Sequence, residues 1–287
     1  MTRRHDGGSA AVVDPRAVLR AAGLSPKKGF GQNFLVAPDV ARKIAEAAVH
    51  DGERVTVVEI GAGTGALTSE LAARAPRVVA IERDRDLVPI LRDAFASSPH
   101  VEIVEADAKT ANYDALAHDE PFILTGNLPY QVTGALLEIA SALAPRLVRA
   151  VFMVQLEVAE RLAAEPGTKE YGALTVFVRA AFDVTRVMRV GPGSFYPPPD
   201  VTSAVVALVP RAYRIAETDR FRALVHAAFE KRRKTLRNAW RGLAPDDVIA
   251  SAATHAGISL DARGETLSAA QFDAMSRALT GEGWRGP

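Results

Sequence analysis

Two short stretches carry groups of the kind that hold small ligands and reactive amines. In VVEIGAGTGALTSEL, the residues Glu59-Ile60-Gly61-Ala62-Gly63-Thr64-Gly65 join an apolar run to a helical pattern. Glycines let the backbone turn tightly and let a ligand approach it, and the start of the next helix offers unpaired N–H groups. Such a turn serves NAD, FAD or S-adenosylmethionine alike, and a purely structural turn looks the same. Its acidic neighbours narrow the choice. Glu82 closes the next apolar run, about twenty residues beyond Gly61, where a carboxylate accepts from ribose hydroxyls. Asp107 follows the third run and is placed to accept from an adenine amino group.

The second stretch is ILTGNLPYQV, in which a fourth apolar run stops on Asn127-Leu128-Pro129-Tyr130. By itself this is an ordinary turn, because Pro129 fixes its φ and Asn caps strand ends well. Its place among the other strand ends suggests chemistry on an exocyclic amine of a flat base. The lone pair of such a nitrogen is delocalised into the ring and must be drawn toward tetrahedral geometry before it attacks a methyl-sulfonium. The Asn127 side-chain oxygen and a backbone carbonyl stiffened by Pro129 are suitable acceptors for its N–H groups, and Tyr130 offers a face for stacking. The work is orientation and polarisation. No strong general base is needed, since the proton becomes acidic once the nitrogen is methylated.

These residues need a scaffold that brings several strand ends together. Short apolar runs without alternation occur at residues 55–60, 78–81, 101–104, 122–125 and 147–154, separated by helix-like stretches. Continuous runs suit strands buried on both faces, and alternation with helices implies right-handed crossovers in a parallel sheet. The expected fold class is therefore α/β, with a mostly parallel, doubly wound sheet. Residues 182–190 and 202–209 read as a hairpin-like pair at the sheet edge, separated by GPGSFYPPPDV. Helices are expected over 14–24, with Asp14 as N-cap, and over 39–49, with SPKKGFGQNFLVAPD between them as a loop. Beyond about Tyr213 only helical patterns remain, at 219–243, 246–256 and 268–280, the last capped by Ser268. The expected division is a tail over 1–13, a ligand-binding domain over 14–210 and a small all-α domain over 211–287.

Composition limits the alternatives. The 287 residues hold 35 basic and 34 acidic side chains, so no strong net field attracts a polyanion and any nucleic-acid affinity must be local. The absence of cysteine excludes disulfides and thiolate metal sites and is compatible with a reducing cytoplasm. No metal is expected. No run approaches the roughly 18 apolar residues of a membrane span, so a soluble cytoplasmic protein is expected. MTRRHDGGSAAVV lacks the apolar core of a signal peptide and reads as a mobile tail.

The Gly-x-Gly-x-Gly spacing, with an acidic residue two before the first glycine, resembles the nucleotide loop of Rossmann-like class I S-adenosylmethionine-dependent methyltransferases. Asn-Leu-Pro-Tyr in its position is similar to the catalytic motif of the ribosomal RNA adenine N6-dimethyltransferases. KKGFGQNFL, FMVQLEVAERLAAEPGTKEYGALTV, FYPPPDVTSAVV and AFEKRRKTLRN further resemble the KsgA/RsmA branch, in order, from about Lys27 to Asn238. The resemblance implies S-adenosylmethionine as methyl donor, with Gln32, Asn33 and Leu35 folding over it beside Gly61, Gly63, Glu82, Asp107 and Asn127. It implies a catalytic set of Asn127, Leu128, Pro129 and Tyr130, with Phe195 packing against the target base opposite Tyr130. Family members commonly carry Lys where this chain has Asp200, which weakens any RNA contact there.

A basic stretch supplies the positive charge that overall composition lacks: Lys231, Arg232, Arg233, Lys234, Arg237 and Arg241 gather near a single Glu230. If helical, it places cations around much of one helix. Arg232, Arg233, Lys234 and Arg237 are the candidate RNA contacts, with Lys27 and Lys28 extending the surface. The expected activity is dimethylation of N6 of two adjacent adenosines near the 3′ end of 16S rRNA, in the assembling small subunit, by a monomer acting in ribosome biogenesis. Two other readings stand beside it: a 23S rRNA dimethylase of the antibiotic-resistance type, and a non-catalytic assembly or transcription factor on the same fold. The first more often reads Asn-Ile-Pro-Tyr and lacks RRKTLRN. The second has no need to retain Gly61, Glu82, Asp107 and Asn127 together.

Overall fold

The computed structural model describes residues 14–230, 234–279 and 284–285. Its strands are β1 (Phe34–Leu35), β2 (Thr56–Ile60), β3 (Arg77–Glu82), β4 (Val101–Glu105), β5 (Phe122–Asn127), β6 (Leu147–Gln155), β7 (Phe182–Val190), β8 (Phe195–Tyr196) and β9 (Ser203–Pro210). The chain divides into two compact units: one takes the chain to Ala159 with Thr185–Val209, the other Glu160–Val184 with the chain from Pro210.

The first unit carries a sheet of order β4-β3-β2-β5-β6-β9-β7. The pairs β2/β3, β3/β4, β2/β5 and β5/β6 are parallel, and β9 runs antiparallel to β6. Chain order proceeds outward from β2 toward β4 on one side and from β5 toward β6 on the other. The reversal between β2 and β5 opens a crevice at their C-terminal ends, where ligands of such sheets bind. The apolar runs are buried as their lack of alternation requires, with Val57, Val58, Val78, Val79, Ile123 and Leu124 all at 0% exposure. The helix Pro38–Ala48 closes one face through Ala41, Ile44, Ala45 and Ala48. Beneath it, Arg149 donates to both Glu53 carboxylate oxygens at 2.6 Å and to the Ala48 carbonyl at 2.8 Å.

One element was not visible as a periodicity. The loop expected between the first two helices contains β1, which pairs antiparallel with β8, Phe34 opposite Tyr196 and Leu35 opposite Phe195. Two residues are too few to show alternation; their partner lies about 160 residues away and supplies the pairing.

The second unit is helical, with helices over Ala173–Ala181, Asp219–Glu230, Leu236–Ala239, Asp246–His255 and Ala269–Ala278. Trp240, Phe221 and Phe272 are fully buried at its centre, and the Trp240 indole N–H donates to the Leu224 carbonyl at 3.0 Å. The sequence reading assigned 160–184 to the ligand-binding domain. Here Tyr171, Val176, Phe177 and Ala180 join the helical core, and the Tyr171 hydroxyl donates to the Leu267 carbonyl at 2.8 Å. The helix expected over 219–243 is also divided. It ends at Glu230, and the next starts at Leu236, where the N–H groups of Leu236 and Arg237 bond to the carbonyls of Ala262 and Leu260. Those N–H groups therefore do not reach back along a continuing helix. Ser268 caps the last helix in a reciprocal pair with Gln271, as its sequence suggested.

Candidate functional site

The turn after β2 is built on left-handed backbone. Gly61 and Gly63 have φ of +73° and +60°, a region that side chains with a Cβ rarely adopt. A Cβ at Gly63 would also sit 3.2 Å from the Phe34 ring, so the glycine is required by the close approach of β1 as well as by the turn. The N–H groups of Gly61 and Ala62 both bond to the Ile81 carbonyl, which ties the turn to the end of β3.

Glu82 stands where β3 ends, 7% exposed. Its carboxylate accepts from the N–H groups of Gly63 at 2.8 Å, Arg83 at 2.8 Å and Asp84 at 2.7 Å. Burial pushes its pKa above the ordinary carboxylate range, against the lowering effect of these three bonds. A carboxylate has about four acceptor positions, so this geometry leaves room for a ligand hydroxyl. Glu59, 1% exposed, accepts from the Thr68 hydroxyl at 2.6 Å. Burial, with Glu82 nearby, pushes its pKa up to about 8. Asp107, at the end of the third run, accepts from the Lys109 N–H at 2.9 Å and from the Arg83 guanidinium at 3.3 Å.

At the end of β5, Gly126 faces the Ile60 carbonyl so closely that a Cβ would lie only 2.4 Å from its oxygen. This contact draws β5 against the glycine turn. Asn127 then projects its amide to the Asn33 carbonyl, Nδ2 donating at 3.0 Å, which assigns Oδ1 the role of acceptor. Leu128 is buried, and its N–H bonds to the Met153 carbonyl at 3.0 Å. The Pro129 carbonyl already accepts from the Val132 N–H at 3.1 Å and the Thr133 hydroxyl at 3.0 Å. Tyr130 shares a hydrogen bond with the Ser203 hydroxyl at 3.0 Å, and burial raises its pKa.

One cavity of about 210 Å³ gathers these groups. Gln32, Asn33, Leu35, Gly61, Gly63, Glu82 and Asp107 line it, together with all four residues of the 127–130 motif. The sequence reading missed Phe30, Phe34 and Lys109, which also line it. The Phe34-Leu35 pair was the only trace of β1 available for Phe34, and Phe30 lies in the turn before it. The Rossmann-type crevice, the glycine turn with its left-handed backbone and the Glu82 acceptor fit a nucleoside carrying an aliphatic tail.

Phe195 is not in the cavity. It is 3% exposed and packs in the apolar core that contains Leu35, Val190 and Val205. In β8 it stands opposite Leu35 of β1. Lys27, expected as a phosphate contact, has two carboxylates beside it. Its ammonium lies 2.5 Å from Asp84 and 2.6 Å from Asp86, which neutralise it. The side chain of Lys28 and all of Arg232 and Arg233 lie outside the described residues. Lys234 and Arg237 are exposed, Arg237 at 3.5 Å from Asp261.

A family model for ribosomal RNA adenine dimethylase matches residues 23–280. Ribosomal RNA small subunit methyltransferase A of Geobacter metallireducens is 44% identical over 91% of this chain and 98% of its own. The protein of that name from Moorella thermoacetica is 41% identical over 92% of this chain and 96% of its own. Among solved structures, a dimethyladenosine transferase from Plasmodium falciparum superposes with a TM-score of 0.75 at 27% identity, covering 84% of this chain and 95% of that one. The 23S rRNA methyltransferase ErmE gives 0.65 at 30% identity, covering 86% and 99%. With a matched family model spanning most of its length and a crevice that assembles the glycine turn, Glu82 and the Asn127 motif, this chain belongs to the ribosomal RNA adenine dimethylase family.

Proposed function

We propose that the protein dimethylates N6 of two adjacent adenosines near the 3′ end of 16S rRNA in the assembling small subunit, using S-adenosylmethionine, as a cytoplasmic monomer. The observation that carries this reading is the Asn127 amide: its nitrogen is committed to the Asn33 carbonyl, so its oxygen is held as an acceptor in the cavity that Glu82 and Gly63 also line. When bound, S-adenosylmethionine supplies an electrophilic methyl group on sulfur. Glu82 would accept from a ribose hydroxyl and Asp107 from the adenine amino group, while Gly61 and Gly63 would let the backbone approach the ligand.

At the target, Asn127 Oδ1 and the Leu128 carbonyl accept the two N–H groups of the amine. Leu128 supplies the peptide acceptor because the Pro129 carbonyl already accepts twice. Together they draw the lone pair out of the ring plane and aim it. Tyr130, anchored through Ser203, offers its ring to the base. Once the nitrogen is methylated its proton is acidic and passes to solvent.

The test is incubation of the purified protein with labelled S-adenosylmethionine and undermethylated small subunits, followed by nucleoside analysis. Dimethyladenosine in the small-subunit RNA is expected; no transfer from a folded, cofactor-binding protein overturns the proposal. The ErmE likeness motivates a second acceptor, naked large-subunit RNA. Preferential transfer to it would favour the large-subunit reading, which the small-subunit names of the 41–44% identical relatives weigh against.

A further inference from the structure

Residues 27–35 form a strap along the cavity: its 29–35 stretch lines the space, and its fastening lies to one side. Asp84, 3% exposed, receives three donors there. Lys27 Nζ lies 2.5 Å from Oδ1, Gln32 Nε2 donates to Oδ2 at 2.7 Å, and the Asp86 N–H donates to Oδ1 at 3.1 Å. Gln32 closes the cluster by accepting the Lys27 N–H at 2.8 Å. Burial pushes the Asp84 carboxyl up, and the bonds from Lys27 and Gln32 more than offset it, so the group is held as a carboxylate.

The same loop serves the cavity directly. The Asp84 N–H donates to Glu82 at 2.7 Å, and the Arg83 guanidinium lies 4.6 Å from the Phe30 ring centroid, within cation–π range. Residues 82–86 thus present the Glu82 carboxylate to the cavity and those of Asp84 and Asp86 to the strap, Asp86 meeting Lys27 at 2.6 Å. Strap and ligand acceptor share one support, while β1 holds the far end of the strap against β8.

We infer that Asp84 is a positioning residue that latches the 27–35 strap across the cavity through Lys27 and Gln32, so that cofactor residence depends on this ion-paired cluster. The inference rests on the proposed cofactor reading and adds the element that retains the cofactor. Elements of this kind act by gating access and release, with chemistry left to other groups.

The experiment uses the full chain as wild type, Asp84→Asn and Lys27→Met. Hydrogen–deuterium exchange is followed without cofactor, and S-adenosylmethionine binding by calorimetry. Both variants are expected to exchange about tenfold faster over 27–35, with the sheet unchanged, and to bind cofactor about tenfold more weakly. The change should fall in the cofactor KM, with kcat moved far less, and the double variant should be no worse than the weaker single one. Unchanged strap exchange, or faster exchange spread over the whole sheet, overturns the latch. So does cofactor affinity within about twofold of wild type. A wild type that binds no S-adenosylmethionine sinks the cofactor reading, while the exchange contrast still decides the latch.

Discussion

Asn127 owes its usable acceptor to a bond made at its other end. With Nδ2 fixed on the Asn33 carbonyl, the amide has one orientation and the oxygen one direction. On its proposed role, Asn127→Ala removes an acceptor whose value lies in the transition state, so kcat should fall about 100-fold or more, with subunit binding retained. Single-turnover transfer and calorimetry measure the two. Glu59 gives a second prediction at this scale, now in stability. Its ordinary pKa is 4.5 and its folded value about 8, so in that window the folded protein keeps a proton the unfolded chain has lost. The stability associated with neutral Glu59 is present below 4.5 and is lost as pH rises toward 8, by at most about 1.4 kcal/mol per unit. Glu59→Gln, which stays neutral, should flatten the fall in denaturation midpoint between pH 5 and 8.

At the scale of elements, the site depends on how closely β2 and β5 approach. Gly126→Ala drives a methyl against the Ile60 carbonyl oxygen, 2.4 Å from the ideal Cβ, and backbone must yield on one strand or the other. A loss of about 2–4 kcal/mol in urea-unfolding free energy is expected. Ser268→Ala, which removes the cap bond to the Gln271 N–H, should cost only about 1 kcal/mol, read as a smaller shift in the same midpoint. The sheet strands were legible because burial on both faces writes itself as an uninterrupted apolar run. β1 and the division of the 219–243 helix were not. The first is two residues long, and the second depends on carbonyls at Leu260 and Ala262 that no local pattern announces.

For the molecule as a whole, near-neutral charge means that RNA affinity must come from a small set of cations. Substituting Arg232, Arg233, Lys234 and Arg237 together by Ala should weaken subunit binding and reduce the slope of log affinity against log salt by about 3. An unchanged slope would place the RNA surface elsewhere. Lys27 illustrates what spacing along the chain does not show: Asp84 and Asp86, almost 60 residues away, lie beside its ammonium. By itself the sequence determined the α/β class, the glycine turn, the acidic strand ends and the Asn127 motif, because each is written in spacings of a few residues. Only the tertiary structure decided that Asn33 orients Asn127 across 94 residues, that Phe195 is core, and that Asp84 holds the strap. These are contacts between distant segments, set by the packing of the folded chain.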